Sequence, residues 1–170
     1  SYFNFLLKIG EINNNPLINH KPLKEEKKVQ IPFSEREINL LLNGDFFEQD
    51  YEGIMIKTLI ELFYTTGIRL SEATNLKSLS VDLENKIIKV LGKRNKERII
   101  PIIDSLKKQL SKFQEFKKTI IKGPESEFFF VNKKNTKLKN IYVYKVVNNY
   151  LNKVSTKSKR SPHMLRHSFA

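Results

Sequence analysis

The sequence contains no cysteine. That excludes a disulfide-stapled scaffold and any thiolate metal site, and it fits a cytoplasmic protein. No apolar run approaches the length a bilayer requires, and the chain does not open on a signal-peptide pattern, so no membrane partner is expected. Acidic residues are scarce where basic ones crowd. Lys and Arg total 31 against 18 Asp and Glu, for a net charge of +13. Residues 31–60 hold 2 basic and 6 acidic side chains, whereas residues 93–170 hold 20 and 5. A field of one sign over half the chain points to a polyanion, because binding one releases condensed counterions. A lysine-rich surface kept for solubility has the same composition, so the motifs must separate the two readings.

What is present suffices for a packed core. Hydrophobic residues make up 39% of the chain and aromatics 11%, mostly Phe, which excludes wholesale disorder. Tyr2 to Ile12 reads as the end of an apolar-faced helix, stopped at Asn13-Asn14-Asn15-Pro16. The charged, proline-bearing stretch after Pro16 reads as a linker to about Gln30. Ser34 followed by Glu37 is a capping-box signal for a helix carrying Ile38, Leu40, Leu41 and Leu42. Tyr51 to Thr66 is apolar on more than one face and predicts a central buried helix, with Gly67 as its stop. A short helix follows, with Leu70, Ala73, Leu76 and Leu79 on one side. The period then shortens. Val81–Leu83, Ile87–Leu91 and Arg98–Ile102 predict a three-stranded antiparallel sheet. Asp104 to Ile121 returns to helix with lysines outward, Phe128–Val131 is a short buried run, and Asn140 to Val154 is helical again. Pro162 opens a last helix. The class is α+β, mostly helical, with one small antiparallel sheet. The units are 1–16, a linker 17–30, and a main domain 31–170.

Three segments could carry chemistry. In Thr66-Gly67-Ile68-Arg69-Leu70-Ser71-Glu72, Arg69 follows a helix stop and heads the next helix, where a guanidinium can reach a cleft. Glu72, one turn on, could orient it, although an Arg-x-x-Glu pair alone is most often a plain surface ion pair. In Gly92-Lys93-Arg94-Asn95-Lys96-Glu97-Arg98, four basic residues sit at a hairpin tip that can enter a DNA groove or simply be solvated. No glycine stands five residues before Gly92-Lys93, so this is not a P-loop. In Ser161-Pro162-His163-Met164-Leu165-Arg166-His167, helical spacing projects His163 and Arg166 together, with His167 a turn beyond His163. No glutamate follows the first histidine and an arginine sits among the candidate ligands, so no metal is expected.

Together and in this order, the three segments resemble the tyrosine recombinase (phage integrase) family, with wording nearest the Xer-type recombinases. The likeness is close over residues 62–102 and 161–170 and looser between them and before Phe33. It implies a recombinase catalytic-domain fold and a double-stranded DNA substrate, cut by transesterification without metal, ATP or other cofactor. It implies that Arg69 and Arg166 clamp the non-bridging oxygens of the scissile phosphate. Lys93 would protonate the leaving 5′ oxygen, and His163 would assist as acid or base. Glu72 would support Arg69, and His167 would be structural. Arg94, Lys96 and Arg98 would contact DNA. The resemblance further implies a homo-tetramer on DNA for the full-length protein, and it makes residues 1–16 the last helix of an N-terminal DNA-clamping domain.

The family's attacking tyrosine lies downstream of the His-x-x-Arg box, whereas all six tyrosines here, Tyr2 to Tyr150, precede His163. The expectation is therefore a catalytic domain without its nucleophile. The rival readings are a DNA-binding module with no catalysis, an RNA-binding protein, disfavoured because the aromatics sit in apolar runs, and a type IB topoisomerase. When the chain is incubated with a nicked suicide duplex, no covalent protein–DNA adduct is expected on a denaturing gel. An adduct would show that one of the six tyrosines attacks.

Overall fold

The computed structural model describes residues 2–21, 31–92, 97–157 and 160–169, leaving out the side chains of His167 and Phe169. Lys93, Arg94 and Lys96 lie outside the described residues. Seven helices and three strands are described: α1 Tyr2–Lys8, α2 Glu35–Asn43, α3 Tyr51–Thr66, α4 Leu70–Thr74, β1 Val81–Asp82, β2 Ile87–Leu91, β3 Glu97–Pro101, α5 Asp104–Ile120, α6 Asn140–Asn152 and α7 Pro162–Phe169. None of these helices is long and apolar enough to cross a membrane.

The centre is α3. Twelve of its 16 residues are buried, with Glu52 exposed and Lys57, Tyr64 and Thr65 half-buried, and α5, α6 and α7 pack around it. Its start is fixed by Asp50, whose carboxylate accepts from the Gly53 N–H at 2.8 Å. Its end is fixed by Gly67 at φ 57°, a left-handed conformation that costs glycine little. Thr58 donates to the Ile54 carbonyl at 2.7 Å and accepts from Gln109 at 2.9 Å, tying α3 to α5. Tyr51, Phe113, Phe129 and Phe130 form one aromatic cluster, and the Tyr51 hydroxyl donates to the Val131 carbonyl at 2.8 Å.

The capping box forms as expected: the Ser34 N–H donates to Glu37 at 2.8 Å and the Glu37 N–H to the Ser34 hydroxyl at 3.3 Å. The sheet has order β1-β2-β3 and is antiparallel throughout, with Val90 opposite Arg98 and Ile88 opposite Ile100. Ile88, Val90 and Ile100 are buried, while Lys89, Leu91, Glu97 and Ile99 face out. This is the alternation of a sheet with one wet face.

Three expectations are corrected. The first helix ends at Lys8, short of Ile12, where Gly10 turns the chain at φ 77°, and it buries none of its residues. The short helix after Arg69 stops at Thr74. Leu79 falls instead in a 3₁₀ turn, Ser78–Ser80, and is 99% exposed. One α5 lysine is not outward: Lys117 is buried and donates to the carbonyls of Phe128 at 2.9 Å and Phe129 at 3.0 Å. The irregular 128–131 segment leaves carbonyls inside the protein that need donors, and a long side chain from α5 supplies them.

Gly53 gives a prediction of sign. A Cβ there would lie 2.1 Å from the Glu48 carbonyl oxygen. Gly→Ala inside a helix ordinarily stabilises by roughly 1 kcal/mol. Here the backbone clash reverses it, and Gly53→Ala is expected to lower the urea-unfolding free energy by about 1–3 kcal/mol. A gain in stability would contradict the close approach.

Candidate active site

The cleft begins where α3 ends. The Thr66 hydroxyl donates to the Leu62 carbonyl at 2.5 Å and accepts from the Ile68 N–H at 3.3 Å, and Ile68 is buried, so the turn after the helix is held from both sides. Arg69 then stands at the N-cap of α4 in an extended conformation, φ −75° and ψ 150°. Its side chain cannot cap a helix, since a guanidinium has no acceptor. Glu72 does the work instead, accepting the Arg69 backbone N–H at 2.8 Å and the guanidinium Nη1 at 2.8 Å.

Glu72 is the most constrained polar group near the cleft. Its side chain is 6% exposed. Arg98, reaching in from β3, donates Nη1 and Nη2 to its two oxygens, each at 2.7 Å. Burial pushes the Glu72 carboxyl pKa upward. The Arg98 fork, then the Arg69 N–H and guanidinium, reverse this and hold it at about 2. The same bonds push the Arg98 pKa up.

The second wall is α7. Ser161 opens it, its carbonyl accepting from the Met164 N–H at 2.9 Å, and Met164 and Leu165 are buried against the core. That leaves His163 exposed and Arg166 half-buried on the cleft side. Arg166 donates through Nη1 to the Gly67 carbonyl, 99 residues away in sequence. The far end of α7 is pinned by Ser168, whose hydroxyl accepts from the Phe33 N–H at 2.8 Å and donates to the Met164 carbonyl at 3.1 Å.

Arg69, His163 and Arg166 therefore line one open cleft of about 550 Å³, together with Ile68, Leu70, Ser71, Asn140 and Pro162. Glu72 lies behind Arg69, and Arg98 behind Glu72. Of the remaining sequence-based candidates, His167 lies on α7 with its side chain outside the described residues, as Lys93, Arg94 and Lys96 are entirely. Sequence reasoning missed Asn140, which lines the cleft and whose side-chain oxygen accepts from the Thr74 hydroxyl at 2.5 Å. No local pattern marks an asparagine at the first residue of a helix as a cleft residue. It missed the inward direction of Arg98 too, although strand alternation places Arg98 on the side of Ile100. Among the described residues no group of three His, Asp or Glu could hold a metal. The wall offers two guanidinium groups and an imidazole, a donor set matched to a tetrahedral anion.

Comparison with known proteins points the same way. Residues 33–170 match the model of the phage integrase family. A tyrosine recombinase XerC of Chlorobaculum parvum is 32% identical over 190 residues, covering 100% of this chain and 56% of that protein. A tyrosine recombinase XerD of Neisseria meningitidis is 32% identical over 162 residues, covering 95% of this chain and 55% of that protein. The chain thus spans a little over half the length of these relatives. Among solved structures, the XerH site-specific recombinase bound to a palindromic difH substrate in a post-cleavage complex superposes with TM-score 0.76 at 26% identity, over 93% of this chain and 46% of that one. The Tn1549 transposon integrase in complex with transposon right end DNA has TM-score 0.76 at 18% identity over 97% of this chain and 61% of that one, a likeness of fold.

The Glu72 pair sets a pH dependence. The carboxyl titrates near its ordinary 4.5 in the unfolded chain and at about 2 when folded. A lowered folded value stabilises above the unfolded one. The contribution, about 3 kcal/mol at most, is therefore complete above pH ~5 and fades as pH falls toward 2. The unfolding free-energy difference between wild type and Glu72→Gln is expected to be large at pH 6 and to shrink steadily toward pH 2. Other acid-sensitive pairs, such as Glu37 with Lys157, cancel in that difference. A pH-independent difference would remove Glu72 from the charge pairing.

Proposed function

The chain belongs to the phage integrase family, and we propose on that premise that it is the catalytic domain of a site-specific tyrosine recombinase. It acts on double-stranded DNA, cutting and rejoining strands by transesterification through a 3′-phosphotyrosine. The observation that carries this reading is the convergence of Arg69, His163 and Arg166 on one open cleft from segments nearly a hundred residues apart.

The chemistry follows from the donors. As an oxygen nucleophile attacks a phosphodiester, negative charge gathers on the non-bridging oxygens. Fixed guanidinium forks from the two walls stabilise that charge more than they stabilise the substrate. Arg69 and Arg166 take this role, held by Glu72 and by the Gly67 carbonyl respectively. His163, exposed at the cleft, moves a proton at the attacking or leaving oxygen, since an imidazole ring can both accept and donate one. Lys93, in the sequence between β2 and β3, protonates the departing 5′ oxygen. Arg94 and Lys96 add phosphate contacts, and His167 is structural. No tyrosine is among the described residues lining the cleft. Tyr51 is bonded to Val131, Tyr142 to Glu52, and Tyr150 is stacked on Phe47, so these three are engaged away from the cleft. The excess of 20 basic over 5 acidic residues after Gly92 supplies the long-range attraction to DNA. Assembly as a homo-tetramer on DNA belongs to the same proposal. Residues 1–16 read as part of a separate DNA-clamping unit, which the lack of any buried residue in α1 supports.

In the full-length protein, Arg69→Lys and Arg166→Lys retain charge but lose the planar fork. Each is expected to slow single-turnover cleavage of a nicked suicide duplex by about 10²-fold or more, while DNA affinity changes only a few-fold. Cleavage that survives both substitutions would favour a DNA-binding module with no catalytic use for the cleft.

A further inference from the structure

The place of Arg98 is unlike that of a DNA-contacting residue. It lies opposite Val90 and on the same side of β3 as buried Ile100, whereas its neighbours Glu97 and Ile99 face out. Its two terminal nitrogens are both engaged by one carboxylate, at 2.7 Å each, and that carboxylate is almost fully removed from water. A basic side chain serving the DNA backbone would extend outward from this hairpin, as Lys89 does from β2.

The charge count shows what Arg98 changes. Arg69, Glu72 and Arg98 together carry a net single positive charge. Without Arg98 the remaining pair is neutral, and both Glu72 oxygens compete for Arg69. With Arg98 present, each Glu72 oxygen is already bonded to it, and the Arg69 side chain gives Glu72 one terminal nitrogen. The other donors of a guanidinium, which has five N–H bonds in a fixed fork, can then serve an anion in the cleft.

We propose that Arg98 is a positioning residue which, through Glu72, holds the Arg69 guanidinium turned toward the cleft and leaves the three-residue cluster with a net positive charge for a phosphate, and so ties β3 to the phosphate clamp. β3 follows directly, in sequence, the segment that carries Lys93. This role of Arg98 rests on the reading of Arg69 as a phosphate ligand.

The test compares Arg98→Lys, Arg98→Gln, Glu72→Gln and the double variants with wild type in the full-length protein. Urea unfolding confirms that each folds. Arg98→Lys keeps the charge and loses the fork. It is expected to slow single-turnover cleavage at saturating duplex about tenfold or more, with DNA affinity within roughly twofold of wild type. Arg98→Gln, which removes the charge as well as the fork, is expected to slow cleavage at least as much as Arg98→Lys. In the Glu72→Gln background, Arg98→Lys is expected to add less than about a twofold further loss, because its path to Arg69 is already cut. Full additivity of the two substitutions would overturn the proposal and return Arg98 to direct DNA contact. If wild type cleaves no duplex, the recombinase reading fails separately. The tie is then decided by titrating inorganic phosphate against the Arg69 side-chain N–H resonance. Phosphate affinity about threefold or more weaker in Arg98→Lys is expected, and unchanged affinity would overturn it.

Discussion

A helix with three quarters of its residues buried can exist in water only if other elements pack on most of its sides, and α3 sets that condition for this domain. With twelve of its residues buried, α3 needs partners on several sides, and α5, α6 and α7 provide them. The site depends on the same helix. Arg69 is presented three residues past its last residue, Thr66, and Arg166 comes to rest on the carbonyl of Gly67, its C-terminal stop. Packing that buries α3 therefore also sets the separation of the two guanidinium walls. A shift of α7 along α3 would move Arg166 and His163 together, since one short helix carries both.

Cationic side chains gathered at one cleft repel one another. The protein resolves this by placing a single carboxylate behind one wall. Glu72 is shared between Arg69 and Arg98 and held ionised at about pKa 2 despite its burial. The cost of removing Glu72 from water is offset by four short hydrogen bonds from positive or backbone donors. On the other wall Arg166 uses a neutral backbone acceptor, so its full charge remains for the cleft. The site thus keeps a positive field while giving each arginine a fixed direction, the condition under which an electrostatic site needs little rearrangement when charge develops.

Local signals were readable wherever the physics is local. Ser34 with Glu37, Gly67 after Thr66, and the change of period at Val81 each reflect a rule acting within a few residues, and each element formed close to where it was expected. Misreadings fell where a distant partner overrode the pattern. The apolar spacing of Leu70, Ala73, Leu76 and Leu79 suggested one helix, yet the Phe129 N–H donates to the Leu76 carbonyl at 2.8 Å and draws the chain off into an extended turn. Lys117 belonged by spacing to a lysine-bearing surface, but carbonyls of a segment over ten residues downstream drew it inside. Arg98 looked like one more basic residue of a hairpin tip, although alternation with Ile100 already placed it on the core side.

The sequence by itself determined the class of elements, the buried character of α3, the basic field of the second half and the three motifs with their residue types. These follow from period, capping and composition, which need no knowledge of what lies across the fold. Tertiary structure alone decided that Arg69, His163 and Arg166 share a cleft, that Asn140 joins them, and that Arg98 faces Glu72. Each of those facts is a distance between segments far apart in the chain, and such distances are fixed by how helices pack around α3, a property no short stretch of sequence contains.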